Sequence, residues 1–171
     1  MFAIVQDNQI QQLIPDGSQF TLNGVEYPSN WVNLSTPEEK AAIGMVDVVY
    51  GPAPSDTYYW VTQEPAVYNE QTNQVDINFT STPKDLFTLQ NDQVTATNNT
   101  AYTILQPSDW MVVRAIETSS TVDPAWNAWR QEIRDQAAAQ VAKITACTDV
   151  AELAALPPVA WANDPNYVAT A

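Results

Sequence analysis

The sequence predicts an α+β protein: a mostly antiparallel β domain with one short helix over residues 1–107, then a helical hairpin with an irregular tail over residues 108–171. Three observations predict it. Short runs of alternating apolar and polar residues, separated by turn residues, fill the first part. One pair of runs flanks Asn23-Gly24, the preferred two-residue type I′ hairpin turn. In the last third, apolar residues recur at steps of three and four, as one face of a helix requires.

Taken in order, Phe2–Val5 and Gln9–Ile14 are short strands on either side of Asp7-Asn8, and Pro15-Asp16-Gly17 is a turn. In Phe20-Thr21-Leu22-Asn23-Gly24-Val25-Glu26-Tyr27, the hairpin register sets Leu22 against Val25 and Phe20 against Tyr27. Thr36, Pro37 and Glu39 spell an N-cap, a first-turn proline and a capping box. Gly44 stops that helix, which runs from Pro37 to Ile43. Met45–Tyr50 and Tyr58–Tyr68 read as strands, with Pro65 marking an edge or bulge. Val75–Thr80 alternates as a strand with one wet face. Thr82–Leu86 reads as a turn or single helical turn, Asn91–Thr100 as a polar loop or weak hairpin, and Tyr102–Leu105 as a last strand.

The character changes between residues 105 and 108. Ser108 or Asp109 can cap a helix from Trp110 to Thr118, and Asp123-Pro124 caps a longer one whose face is Trp126, Trp129, Ile133, Ala137, Val141 and Ile144. Thr148 or Asp149 opens a third, short helix that Pro157-Pro158 ends. The tail from Val159 is irregular and carries Trp161 and Tyr167.

Charge and composition narrow the function classes. The 171 residues carry a net charge of −14 with six basic side chains, and only Lys40 and Lys84 precede residue 108. Phosphate neutralisation needs clustered Lys and Arg, so nucleic acid is not expected as a partner, nor is an anionic membrane. No apolar run approaches a bilayer span, and Met1–Val5 is too short and uncharged for a signal peptide. Three glycosylation sequons, at Asn33, Asn78 and Asn98, read as chance matches.

Catalytic signals are missing. The chain has no histidine, which removes the usual general base and imidazole ligand. The lone cysteine, Cys147, has no partner for a disulfide or zinc site and reads as a small buried hydrophobe. Four glycines form no phosphate loop, and no acidic run has calcium-loop alternation. No spacing singles out a catalytic pair among the twenty carboxylates. The expectation is a protein that is not an enzyme and uses no cofactor or metal.

The aromatics carry the information, with six Trp and seven Tyr in the chain. Trp110, Trp126 and Trp129 lie among Arg114, Arg130 and Arg134, and these six residues are the interface candidates. Trp126 and Arg130 are four residues apart, a spacing that lets a guanidinium lie on an indole. Two readings stand side by side: tryptophans that pack the helices internally, or a Trp/Arg hot spot for a partner.

Ser108-Asp109-Trp110, an Arg shortly after, and Trp126-Asn127-Ala128-Trp129-Arg130-Gln131-Glu132-Ile133-Arg134-Asp135 resemble the C-terminal motif of bacteriophage tail assembly chaperone and tail-fibre assembly proteins. That family usually closes on a Trp-Pro segment; here Pro157-Pro158-Val159-Ala160-Trp161 reverses the order and follows an extra helix. Asn23–Trp31, Thr36–Gly44 and Thr82–Leu86 are similar to stretches of phage tail proteins. The resemblance implies a chain made in the host cytoplasm that binds other tail, baseplate or tail-fibre subunits in the virion, with a homo-oligomer within the assembly as one arrangement. It leaves open a lasting tail component or a transient chaperone. Docking is expected through the Trp/Arg helices or an exposed strand edge. A third class is a host-glycan-binding module using Tyr58, Tyr59 and Trp60, although alternation along a strand sends those side chains to opposite faces.

Overall fold

The computed structural model describes residues 1–166, so Tyr167 lies outside the described residues. The chain is α+β and divides into two compact units, Met1–Thr82 and Pro83–Ala171.

The first unit holds nine strands: β1 (Phe2–Gln6), β2 (Gln9–Ile14), β3 (Phe20–Leu22), β4 (Val25–Tyr27), β5 (Met45–Tyr50), β6 (Tyr59–Gln63), β7 (Val67–Asn69), β8 (Gln74–Ile77) and β9 (Phe79–Pro83), the last of which reaches one residue past the boundary. Two short helices, α1 (Trp31–Leu34) and α2 (Pro37–Ala42), lie between β4 and β5, where the sequence suggested one. The main sheet has the order β2-β1-β5-β8-β7 and is antiparallel except where β5 and β8 run parallel. β3–β4 and β6–β9 are separate two-stranded sheets.

Turn chemistry fixes much of this unit. Asp7 and Asn8 both adopt positive φ between β1 and β2, and Asn23 and Gly24 do so between β3 and β4, as type I′ turns require. The second hairpin has the expected register, and Phe20 stacks on Tyr27 with centroids 4.6 Å apart. Thr36 and Glu39 form the reciprocal capping box at the start of α2. Gly44 ends that helix at φ +70°, and a Cβ there runs into the Val5 carbonyl oxygen of β1. Glycine is thus required twice over, by conformation and by the close approach of β1.

Both faces of the sheet are covered. On one side Ile4, Ile14, Phe20, Val32 and Met45 form a core closed by Tyr27 and Trp31; on the other Ala3, Val46 and Val75 pack with Ile10, Ala66 and Tyr68. The sheet curls until its edge strands β2 and β7 touch at one end, where Asn8 Nδ2 donates to the Glu70 carboxylate. Two strands differ in detail from the sequence expectation. Tyr58–Tyr68 splits at Glu64-Pro65 into β6 and β7, and Val75–Thr80 breaks at Asn78, so that β8 stays in the main sheet while β9 pairs with β6.

The second unit is helical: α3 (Leu86–Leu105), a 3-10 turn at Gln106–Ser108, α4 (Asp109–Glu117), α5 (Pro124–Ala146) and α6 (Val150–Ala154). Residues read as a loop and last strand are therefore a 20-residue helix, and the boundary falls at Thr82/Pro83 instead of between 105 and 108. The packing partner of α5 is α3, through Ala101, Trp129, Ile133 and Ala137, with small residues at the crossing that let the helices approach.

Polar side chains tie this unit at its ends. The Gln90 amide donates to the Ile144 and Cys147 carbonyls at 2.9 and 3.0 Å, satisfying the end of α5. Cys147 is half-buried, not the buried hydrophobe the sequence suggests; desolvation, with Glu152 and Asp149 nearby, pushes its thiol up. Asp85 caps α3, accepting from the Thr88 hydroxyl at 2.6 Å and the Thr88 amide at 2.8 Å; these bonds hold its carboxyl below the usual carboxylate range. A carboxyl lowered by folding stabilises the fold above its unfolded value, and that contribution disappears as pH falls through the lowered value. The melting temperature of Asp85→Ala is therefore expected to lie below that of the wild type at neutral pH, and the gap to shrink on acidification. A gap that widens in acid contradicts this capping role.

Candidate interaction surface

Arg130 is the hub around which the helical unit is arranged. It is 5% exposed on α5, and its guanidinium donates to the Leu105 carbonyl (3.0 Å), the Ser108 hydroxyl and the Asp109 carboxylate (2.7 Å). Ser108 Oγ itself donates to the Leu105 carbonyl at 2.7 Å. Ser108 and Asp109 therefore do not cap α4 with their side chains, as the sequence suggested; Arg130 gathers both and fixes the bend between α3 and α4. The planar fork of arginine suits a carbonyl, a hydroxyl and a carboxylate at once.

Trp129 is also internal. It is 8% exposed, lies edge-on to Trp126 at 5.4 Å, and donates its indole N–H to the Ala162 carbonyl at 2.9 Å. The Ala162 amide returns a bond to Gln136 Oε1 at 3.1 Å, and Gln140 Nε2 donates to the Pro157 carbonyl at 3.2 Å. The extended segment from Pro157 to Ala162 is thus strapped along α5, with Trp161 against the α3–α5 core. The expected Trp126–Arg130 stack gives way to an indole pair, because the guanidinium turns towards the bend.

α4 presents the opposite picture. Ala115 is buried and Met111 and Val112 are half-buried, so the inward side of the helix is occupied. Trp110, Val113 and Ile116 remain 54%, 55% and 75% exposed. Their spacing of three residues puts them on one side of the helix. Beside them lies a groove of about 600 Å³ lined by Trp110, Met111 and Arg114 of α4, Val122 and Asp123 of the connection, and Trp126 of α5.

Of the six candidate residues, Trp110, Arg114 and Trp126 line this groove. Trp129 and Arg130 are structural. Arg134 is exposed, with Nη1 donating back to the Arg130 carbonyl at 3.3 Å, and does not line the groove. Val113 and Ile116 are surface residues that tryptophan–arginine spacing did not single out. A nine-residue helix apolar on almost every side, from Trp110 to Ile116, was the available signal.

In the first unit Trp60 on β6 is 67% exposed while Tyr58 and Tyr59 are half-buried, so the three aromatics are not equally presented. Among the described residues no group of three or more His, Cys, Asp or Glu is placed to hold a metal ion, and no helix is long and apolar enough to cross a membrane. No protein-family model, curated protein or solved structure matches the chain.

Proposed function

We propose that this chain is a non-enzymatic bacteriophage tail protein, an adaptor that stays with the particle and docks onto another tail, baseplate or fibre subunit through α4. The observation that carries this reading is the row Trp110, Val113 and Ile116, left exposed beside a groove with Arg114 at its rim. Contiguous exposed apolar side chains of this kind mark interaction sites, and a tryptophan–arginine pair is the composition enriched in binding energy at interfaces. The resemblance of Ser108-Asp109-Trp110 and Trp126–Asp135 to tail and tail-fibre assembly proteins supplies the identity of the partner class. The Arg130 clamp supports it further, because it gives the two halves of that motif a common purpose: holding α4 in a fixed place.

The combined variant Trp110→Ser, Val113→Ser, Ile116→Ser tests this. These side chains face solvent, so melting is expected to stay close to wild type, each change costing about 0.5 kcal/mol or less. Complementation of a phage lacking the gene is expected to yield assembled tails reduced by about tenfold or more. Normal tail yield with normal expression contradicts the docking role of α4. Mass spectrometry of purified particles separates a resident adaptor, which is found there, from a transient assembly factor, which is not.

A further inference from the structure

The N-terminal unit carries a second surface, independent of α4 and of the tail assignment. β2 ends the five-stranded sheet. β7, its neighbour across the curl, is three residues long against six in β2, and the two meet at the Asn8–Glu70 end. A register shift separates Ile10 from Gln12, leaving Gln12–Ile14 in regular pairing with Phe2–Ile4 and with no strand on its outer side. Edge strands are commonly shielded by lysine, proline, a β-bulge or a covering element, and the bulge in β2 falls at Gln11, outside Gln12–Ile14. The stretch Gln9–Ile14 contains no charge and no proline.

A groove of about 530 Å³ runs beside this edge, between Gln12 and the β3–β4 hairpin, walled by Phe20, Thr21, Tyr27 and Pro28. The register places Gln12 on the same face as Ile4, the face on which Phe20 packs. Glu26 is the one charged residue lining the groove.

Charge selects the occupant. Residues 1–82 carry ten carboxylate side chains against a single basic one, Lys40. A second copy of the chain meets like charge there, whereas a basic segment is attracted throughout its approach. We propose that the β2 edge binds an extended, lysine- or arginine-bearing segment of another protein, which adds a strand beside Gln12–Ile14 and sets a basic side chain against Glu26. Backbone pairing supplies affinity in this mode, and the flanking groove supplies side-chain selectivity.

The test is an NMR titration of the full-length, isotope-labelled chain with a short synthetic peptide alternating lysine with valine and threonine. Amide shifts are expected at Gln12, Leu13 and Ile14 and across Thr21 and Glu26. Glu26→Lys is expected to weaken binding about tenfold, the effect of one lost charge contact. A peptide of equal charge with proline at alternate positions, unable to donate backbone bonds, is expected not to bind. Equal binding of the proline peptide, an unchanged affinity in Glu26→Lys, or shifts confined to other regions overturns the proposal. So does sedimentation showing a dimer that Gln12→Lys dissociates, which assigns the edge to a second copy.

Discussion

Trp129→Ala is expected to destabilise the helical unit by about 3–5 kcal/mol, the usual cost of emptying a buried tryptophan site. Three losses combine at this position. The indole fills the α3–α5 interface beside Ile133, it supports Trp126 edge-on, and its N–H holds the Ala162 carbonyl. Trp129→Phe separates them: it keeps most of the packing and loses only the tether, a cost of about 1 kcal/mol. Urea unfolding gives the stability change, and hydrogen exchange at the Ala162 amide, which is bonded to Gln136, reports the strap directly. A mild effect of the alanine variant contradicts the placement of Trp129 in the core.

Arg130→Ala is the second large effect, at about 2–3 kcal/mol, the cost of leaving buried acceptors without their donor. Removing one partner of a fully buried ion pair costs more than this. Here the Asp109 side chain is 49% exposed and regains water when the arginine leaves, so the cost falls mainly on the Leu105 carbonyl and the Ser108 hydroxyl. Arg130→Lys is expected to recover only part of the loss, because an ammonium cannot reach all three acceptors in the geometry of a guanidinium. The released bend also alters α4, so exchange protection across Asp109–Glu117 is expected to fall in both variants. Wild-type stability in Arg130→Ala contradicts the clamp.

Sequence patterning reads the first unit well because its signals are local. Asn23-Gly24, the Thr36–Glu39 capping box and Gly44 each act within a few residues, and each does in the fold what its chemistry dictates. The sheet is different. β8 and β9 form one alternating run in sequence, and only their separate partners reveal the break at Asn78.

α3 escaped for a specific reason. Its inward stripe includes Leu86, Leu89, Gln90, Gln93, Val94, Thr97, Ala101 and Ile104, at helical spacing but half polar or small in composition. Threonines along the helix, most of them off this stripe, have low helix propensity. In the fold Thr97, Thr100 and Thr103 bond back to the carbonyls of Gln93, Ala96 and Asn99, which occupies their hydroxyls within the helix. An apolar-only pattern misses such a stripe; Pro83 before it and Pro107 after it were the legible bounds.

The candidate surface was half legible. Spacing alone cannot say whether a tryptophan–arginine cluster faces in or out. Burial decides it: Trp129 and Arg130 are consumed by the fold, whereas Trp110 and Arg114 are left outside by the same clamp. The two roles are linked, since an α4 held rigidly in place presents its apolar row without a large ordering cost on binding.

The most direct measurement is photo-crosslinking in phage-producing cells, with a photoreactive amino acid at Val113 and a control at the exposed position Asn98 on α3. A covalent adduct is expected between position 113 and an identified tail, baseplate or fibre subunit, with none from position 98. Adducts only with proteins outside the tail, or equal labelling from both positions, contradict it.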